Sequence, residues 1–256
     1  MSKISRRRTP LTALLLSLCA FAAHASVVLN GTRVIYPEEE PEVTVRLTNE
    51  GNTPALVQAW IDDGDPAATP EQSHAPFTLA PPIFRLDPGN GQTLRIIHLQ
   101  QPLPRDRESL FWLNVLEVPP VASGDTEARN SLQFAFRSRI KLMFRPRGLP
   151  GDADNAPRKV TWHFVRKADG SHVLAASNPT PYHITFTRIE TVAGGTPYRS
   201  DVATMVAPQG TIELPLGDTP VADTIPAEVR YTTLNDFGAA AEGLYKSSPA
   251  GTRSQE

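Results

Sequence analysis

The mature histidines, His74, His98, His163, His172 and His183, fall at spacings that match neither HExxH nor HxH, so no pair is set up to hold a metal. No Gly-x-Ser-x-Gly turn is present to lift a serine nucleophile. The run Asp62-Asp63-Gly64-Asp65 is rich in oxygen ligands, but it lacks the spaced positions and distal Glu of a calcium loop and reads as an acidic turn. Gly89-Asn90-Gly91 reads as a hairpin turn and not as a phosphate cradle. Cys19 is the only cysteine, and it lies in an N-terminal segment expected to be removed. A mature chain without cysteine has no thiol nucleophile, thiolate site or disulfide. The expectation is therefore no enzyme, no catalytic residue, no metal and no cofactor.

The stretch whose residue types do point to chemistry is Ser131–Arg145. Its 15 residues carry a period-two alternation, about 50 Å of extended chain where strands usually run about 5 to 6 residues. One face carries Leu132, Phe134, Phe136, Ile140, Leu142 and Phe144, interrupted by Ser138. The other carries Gln133, Ala135, Arg137, Arg139, Lys141, Met143 and Arg145 and is strongly cationic. An inner strand with a solvated outer face accounts for the second half of the run. It accounts less well for the first half, where the loop Val121–Asn130 leads straight into three large apolar residues. Such an edge aggregates unless something covers it. Lending those residues to a groove in another protein is one mechanism that uses it.

The elements that position this run are strands. Twenty-five prolines against 16 glycines, with no long helical periodicity, indicate an all-β chain of many edges and turns. Alternation marks Val43–Thr48, Ala55–Ile61, Ile83–Leu86, Thr93–Leu99 and Ser109–Val118 before the long run, with turn signals between them. That pattern is expected of an immunoglobulin-like sandwich. Residues 147–157 carry Gly, Pro and Asp without alternation and read as a linker. The β pattern then resumes in Val160–Val165, Val173–Ala176, His183–Ile189, Thr211–Leu214, Ala227–Leu234 and Gly243–Lys246. The expected organisation is a sandwich over 26–146, the linker, a smaller sandwich over 158–246 and a polar, disordered tail over 247–256.

Ahead of these strands, Lys3 and Arg6–Arg8 precede an apolar stretch, Leu11–Ala23, and the small-x-small site Ala23-His24-Ala25. This is a secretory signal over 1–25. Its 13 apolar residues fall short of the about 20 that a membrane span needs, and the protein is expected to be exported and not membrane-embedded. Losing four bases with the signal leaves 21 of the 25 Lys and Arg against 27 acids, a net charge of −6. That balance argues against nucleic acid as a partner.

Several long motifs, in order, resemble the periplasmic pilus-assembly chaperones of the chaperone-usher pathway, the PapD-like family. They are Pro104-Arg105-Asp106-Arg107-Glu108-Ser109-Leu110-Phe111-Trp112-Leu113-Asn114 with Glu117-Val118-Pro119-Pro120, then Leu132–Phe136 with Arg139–Pro146, then Asn178-Pro179-Thr180-Pro181-Tyr182, and finally Asn235-Asp236-Phe237-Gly238. The resemblance runs from about Val27 to Lys246. It implies two immunoglobulin-like domains in a boomerang, in the periplasm, binding pilus or fimbrial subunits that lack their last strand and passing them to an outer-membrane usher. It further implies that Leu132, Phe134 and Phe136 fill the subunit groove as a donor strand. Arg33 and Lys141 would grip the subunit's C-terminal carboxylate, and Glu108, Arg145 and Asp236 would form a buried trio joining the domains.

Carboxylate capture favours a charge-assisted donor pair, to which Arg brings a planar fork and Lys a compact charge. Strict alternation, however, sets Lys141 on the face opposite Phe134 unless a bulge intervenes. The short loop Val121–Asn130 resembles the subgroup serving rod-like pili. Many family members carry a disulfide in the second domain, which this chain cannot form. The competing reading, a fibre subunit or adhesin of similar fold, should show an N-terminal donor extension and an incomplete final strand. The apolar strand of a free chaperone could be hidden by self-association.

Overall fold

The computed structural model describes residues 26–120, 134–217, 219 and 221–247. The segment 1–25 read as a signal, the loop Val121–Asn130, Leu132 and residues 248–256 lie outside them. The chain forms two β-sandwiches. The first contains β1 (Val27–Leu29), β2 (Arg33–Pro37), β3 (Val43–Asn49), β4 (Ala55–Asp62), β5 (Phe77–Ala80), β6 (Ile83–Leu86), β7 (Gly91–His98), β8 (Ser109–Val118) and β9 (Phe136–Arg145). The second contains β10 (Thr161–Arg166), β11 (His172–Ser177), β12 (Ile184–Ala193), β13 (Thr196–Ser200), β14 (Thr204–Val206), β15 (Thr211–Pro215), β16 (Glu228–Leu234) and β17 (Ala240–Lys246). No helix among the described residues is long and apolar enough to cross a membrane.

In the first sandwich a sheet ordered β1-β3-β7-β5 faces one ordered β2-β9-β8-β4-β6. Period-two alternation sends Leu47, Leu94 and Ile96 inward from the first, and Val57, Leu113 and Leu142 inward from the second, all fully buried. The chain changes sheets between β1 and β2 at Gly31, whose φ of +129° an L side chain rarely adopts. Buried Glu117 in β8 takes the Val27 N–H at 3.0 Å and the Ser26 hydroxyl, which ties the start of β1 across to the opposite sheet.

β9 is central in its sheet and differs from the sequence expectation in two ways. It begins at Phe136, with Phe134 and Ala135 outside any strand. Its ladder with β8 ends at the pair Glu117↔Phe136; the next positions of β8 run into Pro119 and Pro120, which have no N–H to continue it. The second difference is the cationic face, which is not simply solvated. Arg139 pairs with buried Asp62, Arg145 reaches two carboxylates, and Met143 is buried. The acidic turn is thus partly an ion-pair partner.

In the second sandwich β10-β11-β15 faces β13-β12-β16-β17, with β14 also on β12. Trp162, Phe186 and Tyr231 form its aromatic centre, the Trp162 and Phe186 rings packing edge to face at 5.4 Å. The segment read as a linker is not free of this core: Leu149 and Ala153 pack against it, and Ala156 is buried within it. The corner Asn178–Tyr182 is closed by the buried Asn178 amide, whose nitrogen donates to the Tyr182 and Ala207 carbonyls while its oxygen accepts from the Thr180 N–H and hydroxyl.

Candidate functional site

The two sandwiches meet where β9 ends. Arg145, its last residue, donates from Nε to Glu108 Oε1 at 2.8 Å and from Nη1 and Nη2 to both oxygens of Asp236 at 2.7 and 2.9 Å. Glu108 is buried, and its second oxygen accepts from the His183 backbone N–H at 2.7 Å and faces His183 Nδ1 at 3.1 Å. The Glu108 N–H in turn donates to the Pro181 carbonyl. Burial alone would weaken the hold of Arg145 on its proton; the Asp236 and Glu108 carboxylates more than offset it and raise its pKa. The three residues assigned by resemblance to an interdomain trio are thus in direct contact, one guanidinium spanning a carboxylate from each sandwich. His183 joins them, which no spacing in the sequence indicated.

Four residues earlier on the same face of β9, Lys141 stands directly opposite Arg33 of β2 in a parallel ladder. The Lys141 ammonium has one hydrogen-bond partner among the described residues, the neutral Thr185 hydroxyl at 3.3 Å. Arg33 Nη1 donates to the Leu234 carbonyl at 3.2 Å, while its Nε is buried with no partner among the described residues. Burial, and then the charge of Arg33, lowers the Lys141 pKa. Burial also lowers that of Arg33, against the opposing pull of Asp236 and Glu108. Neither of these two partly desolvated cations has a carboxylate hydrogen-bonded to it among the described residues, and such charges repel each other and attract an oxyanion.

A third cation beside them is already neutralised. Arg139 forms a two-pronged ion pair with Asp62, Nη2 to Oδ1 at 2.6 Å and Nε to Oδ2 at 3.1 Å, and lies over the Trp112 ring at 4.1 Å. Burial would push the Asp62 carboxyl up, but the bonds from Arg139, Asn114 and the Gly64 N–H outweigh it and hold it below the usual range. Lys141 Nζ sits 5.9 Å from the same ring. Asp62 thereby fixes Arg139 on Trp112 and leaves Arg33 and Lys141 as the neighbouring cations without a carboxylate hydrogen bond among the described residues. Nothing in the alternation of β4 signalled this pairing, which closes across 77 residues.

The upper part of β9 is left uncovered. β2 covers one edge of β9 only over Lys141–Arg145, and among the described residues no strand pairs with Phe136–Ile140 on that side. Phe134 and Phe136 are 60% and 43% exposed. The ladder with β8 runs from Phe136 to Phe144 without a register shift, so no bulge brings Lys141 and Phe136 to a common face.

Residues 26–150 match the model of the PapD N-terminal domain of pili and flagellar-assembly chaperones, and residues 155–245 match that of the PapD pili-assembly chaperone C-terminal domain. The chain belongs to the PapD family of pilus-assembly chaperones. Chaperone protein FimB/FhaD of Bordetella pertussis is 46% identical over 240 residues, 91% of this chain and 94% of that one. The crystal structure of the YadV chaperone has 40% identity and a TM-score of 0.71, covering 87% of this chain and all of that one. A Salmonella enterica SafA pilin in complex with the SafB chaperone also matches, at 28% identity and a TM-score of 0.68 over 87% of this chain and 96% of that one. The protein is accordingly a fimbrial chaperone of two immunoglobulin-like domains, neither an enzyme nor a fibre subunit.

Proposed function

We propose that this chaperone works in the periplasm, binds pilus subunits by adding its β9 edge to an incomplete subunit sandwich, and passes them to an outer-membrane usher. In this reading Phe134 and Phe136 enter the subunit groove, Leu132 continues their alternation, and Arg33 with Lys141 receives the subunit's C-terminal carboxylate. The observation that carries it is the start of β2 at Arg33, level with Lys141. A strand added along Phe136–Ile140 must lie end to end with β2 and stop there. Running parallel to β9, it brings a carboxylate to the two cations; running antiparallel, it would bring an ammonium, which they repel. The opposed faces of Phe136 and Lys141 then present no conflict, because the carboxylate arrives at the end of the strand while the side chains beside Phe136 enter from its face.

Peptides copied from the last strand of a candidate subunit test this, offered to the purified protein as the free acid and as the amide. The free acid should bind about 10-fold or more tighter, the loss expected when one partner of a buried charge contact is removed. Equal affinity would refute the anchor.

A further inference from the structure

Phe237, at the tip of the β16–β17 hairpin, is 90% exposed, more than any other large apolar side chain described. The turn that displays it is clamped. Asp236 takes both ends of the Arg145 guanidinium, and the Leu234 carbonyl takes Arg33 Nη1. Gly238, at φ +79°, sits so close to the Thr32 hydroxyl that a Cβ would collide with it. Within the turn, Asn235 Oδ1 accepts from the N–H groups of Phe237 and Ala239 at 3.1 and 2.9 Å. A ring on a loose loop can fold down onto the surface, whereas the backbone beneath this one is fixed.

The ring borders a groove of about 420 Å³ that Arg33 shares with Val34, Val43, Val45 and Ile140. This groove therefore combines Arg33, whose Nε has no partner among the described residues, with an apolar wall and an exposed phenyl on a fixed backbone; the other charges that line it, Arg145 and Asp236, already neutralise each other. A ligand that matches all three carries an anionic group next to a large apolar one. A peptide C-terminus has that chemistry, because the side chains of its last residues stand within a few ångströms of its carboxylate.

We propose that Phe237 contacts the subunit's C-terminal segment and selects a large apolar side chain at its last or penultimate position. The inference rests on the reading of Arg33 and Lys141 as the carboxylate anchor. Titration calorimetry on the purified protein tests both with three peptides of otherwise identical sequence: one ending in two Leu, one ending in two Ala, and the amide of the first. The wild type should bind the Leu-ended acid roughly 10- to 100-fold tighter than the Ala-ended acid, the discrimination an apolar pocket achieves. Phe237→Ala should erase most of that preference while leaving affinity for the Ala-ended peptide unchanged, and Phe237→Leu should keep part of it. If the amide binds weakly but Phe237→Ala retains the preference, the inference is overturned and the anchor stands. It is overturned equally if Phe237→Ala alters only the sedimentation of the free protein, which would assign the ring to contact between copies. If acid and amide bind alike, the anchor fails and this inference with it.

Discussion

Lys141 and Arg33 occupy one rung of the parallel ladder between β9 and β2, so the sheet holds two like charges side by side. Their mutual repulsion and partial burial cost the free protein stability, and they are the pair proposed to receive the subunit's carboxylate.

Lys141→Met should therefore leave the melting temperature unchanged or raise it, while abolishing the difference between free-acid and amidated peptides. The lowered Lys141 pKa fixes the pH dependence. Between its folded value and the unfolded value near 10.4, the unfolded chain binds more protons, so stability rises with pH across that window. The stability advantage of Lys141→Met should shrink as pH rises through it, and carboxylate affinity of the wild type should fall over the same range as the ammonium is lost. Melting curves and peptide titrations from about pH 7 to 10 check both, spanning the range below the ordinary lysine value; a Lys141→Met variant clearly less stable than wild type at neutral pH would contradict the argument.

The trio around Arg145 should behave in the opposite sense. Removing one partner from a buried ion cluster costs roughly 3 to 5 kcal/mol. Glu108, with its side chain 1% exposed, should show most of that on replacement by Ala, whereas Asp236, with its side chain 30% exposed, should show less. Denaturant titration of Glu108→Ala and Asp236→Ala tests this order. Full stability combined with lost subunit binding would move these residues out of the structural role.

Phe134 and Phe136 contrast with Phe144 on the same alternation. Phe144 lies in the core against Tyr36 and Phe77, and its truncation to Ala should cost about 3 to 5 kcal/mol of stability. The double replacement Phe134→Ala with Phe136→Ala removes side chains that the free protein leaves exposed, so its melting temperature should match wild type while recovery of co-expressed subunit collapses. Undiminished recovery would remove both residues from the donor role.

The alternation of β9 was readable because one of its faces is the core of a sandwich, and a half-buried strand writes its period into the sequence. Short strands were read unevenly: β1, β5, β13 and β14, of three to five residues each, left no mark, whereas β6, of four, was bounded by the turn that follows it. β2 went unread as a strand, and only Arg33 within it was marked, by resemblance. The contacts that assemble the site were the least legible. Arg33 meets the Leu234 carbonyl across 201 positions, and Asp62 meets Arg139 across 77; such pairs are set by how sheets stack and leave no local pattern. Glu108, Arg145 and Asp236 could be named in advance only because their motifs resemble those of a family.

The start of β2 has a further consequence for what can be captured. If the subunit's terminus is held at Arg33 and Lys141 as proposed, the interval from Lys141 back to Phe136 acts as a ruler whose zero is the incoming chain's last residue. One residue appended there would shift every preceding position by a single step and turn its groove away from Phe136, whereas two would restore the facing but displace the pockets by about 7 Å. C-terminal tags should thus be far less tolerated on the cargo than insertions elsewhere, with odd and even lengths failing for different geometric reasons.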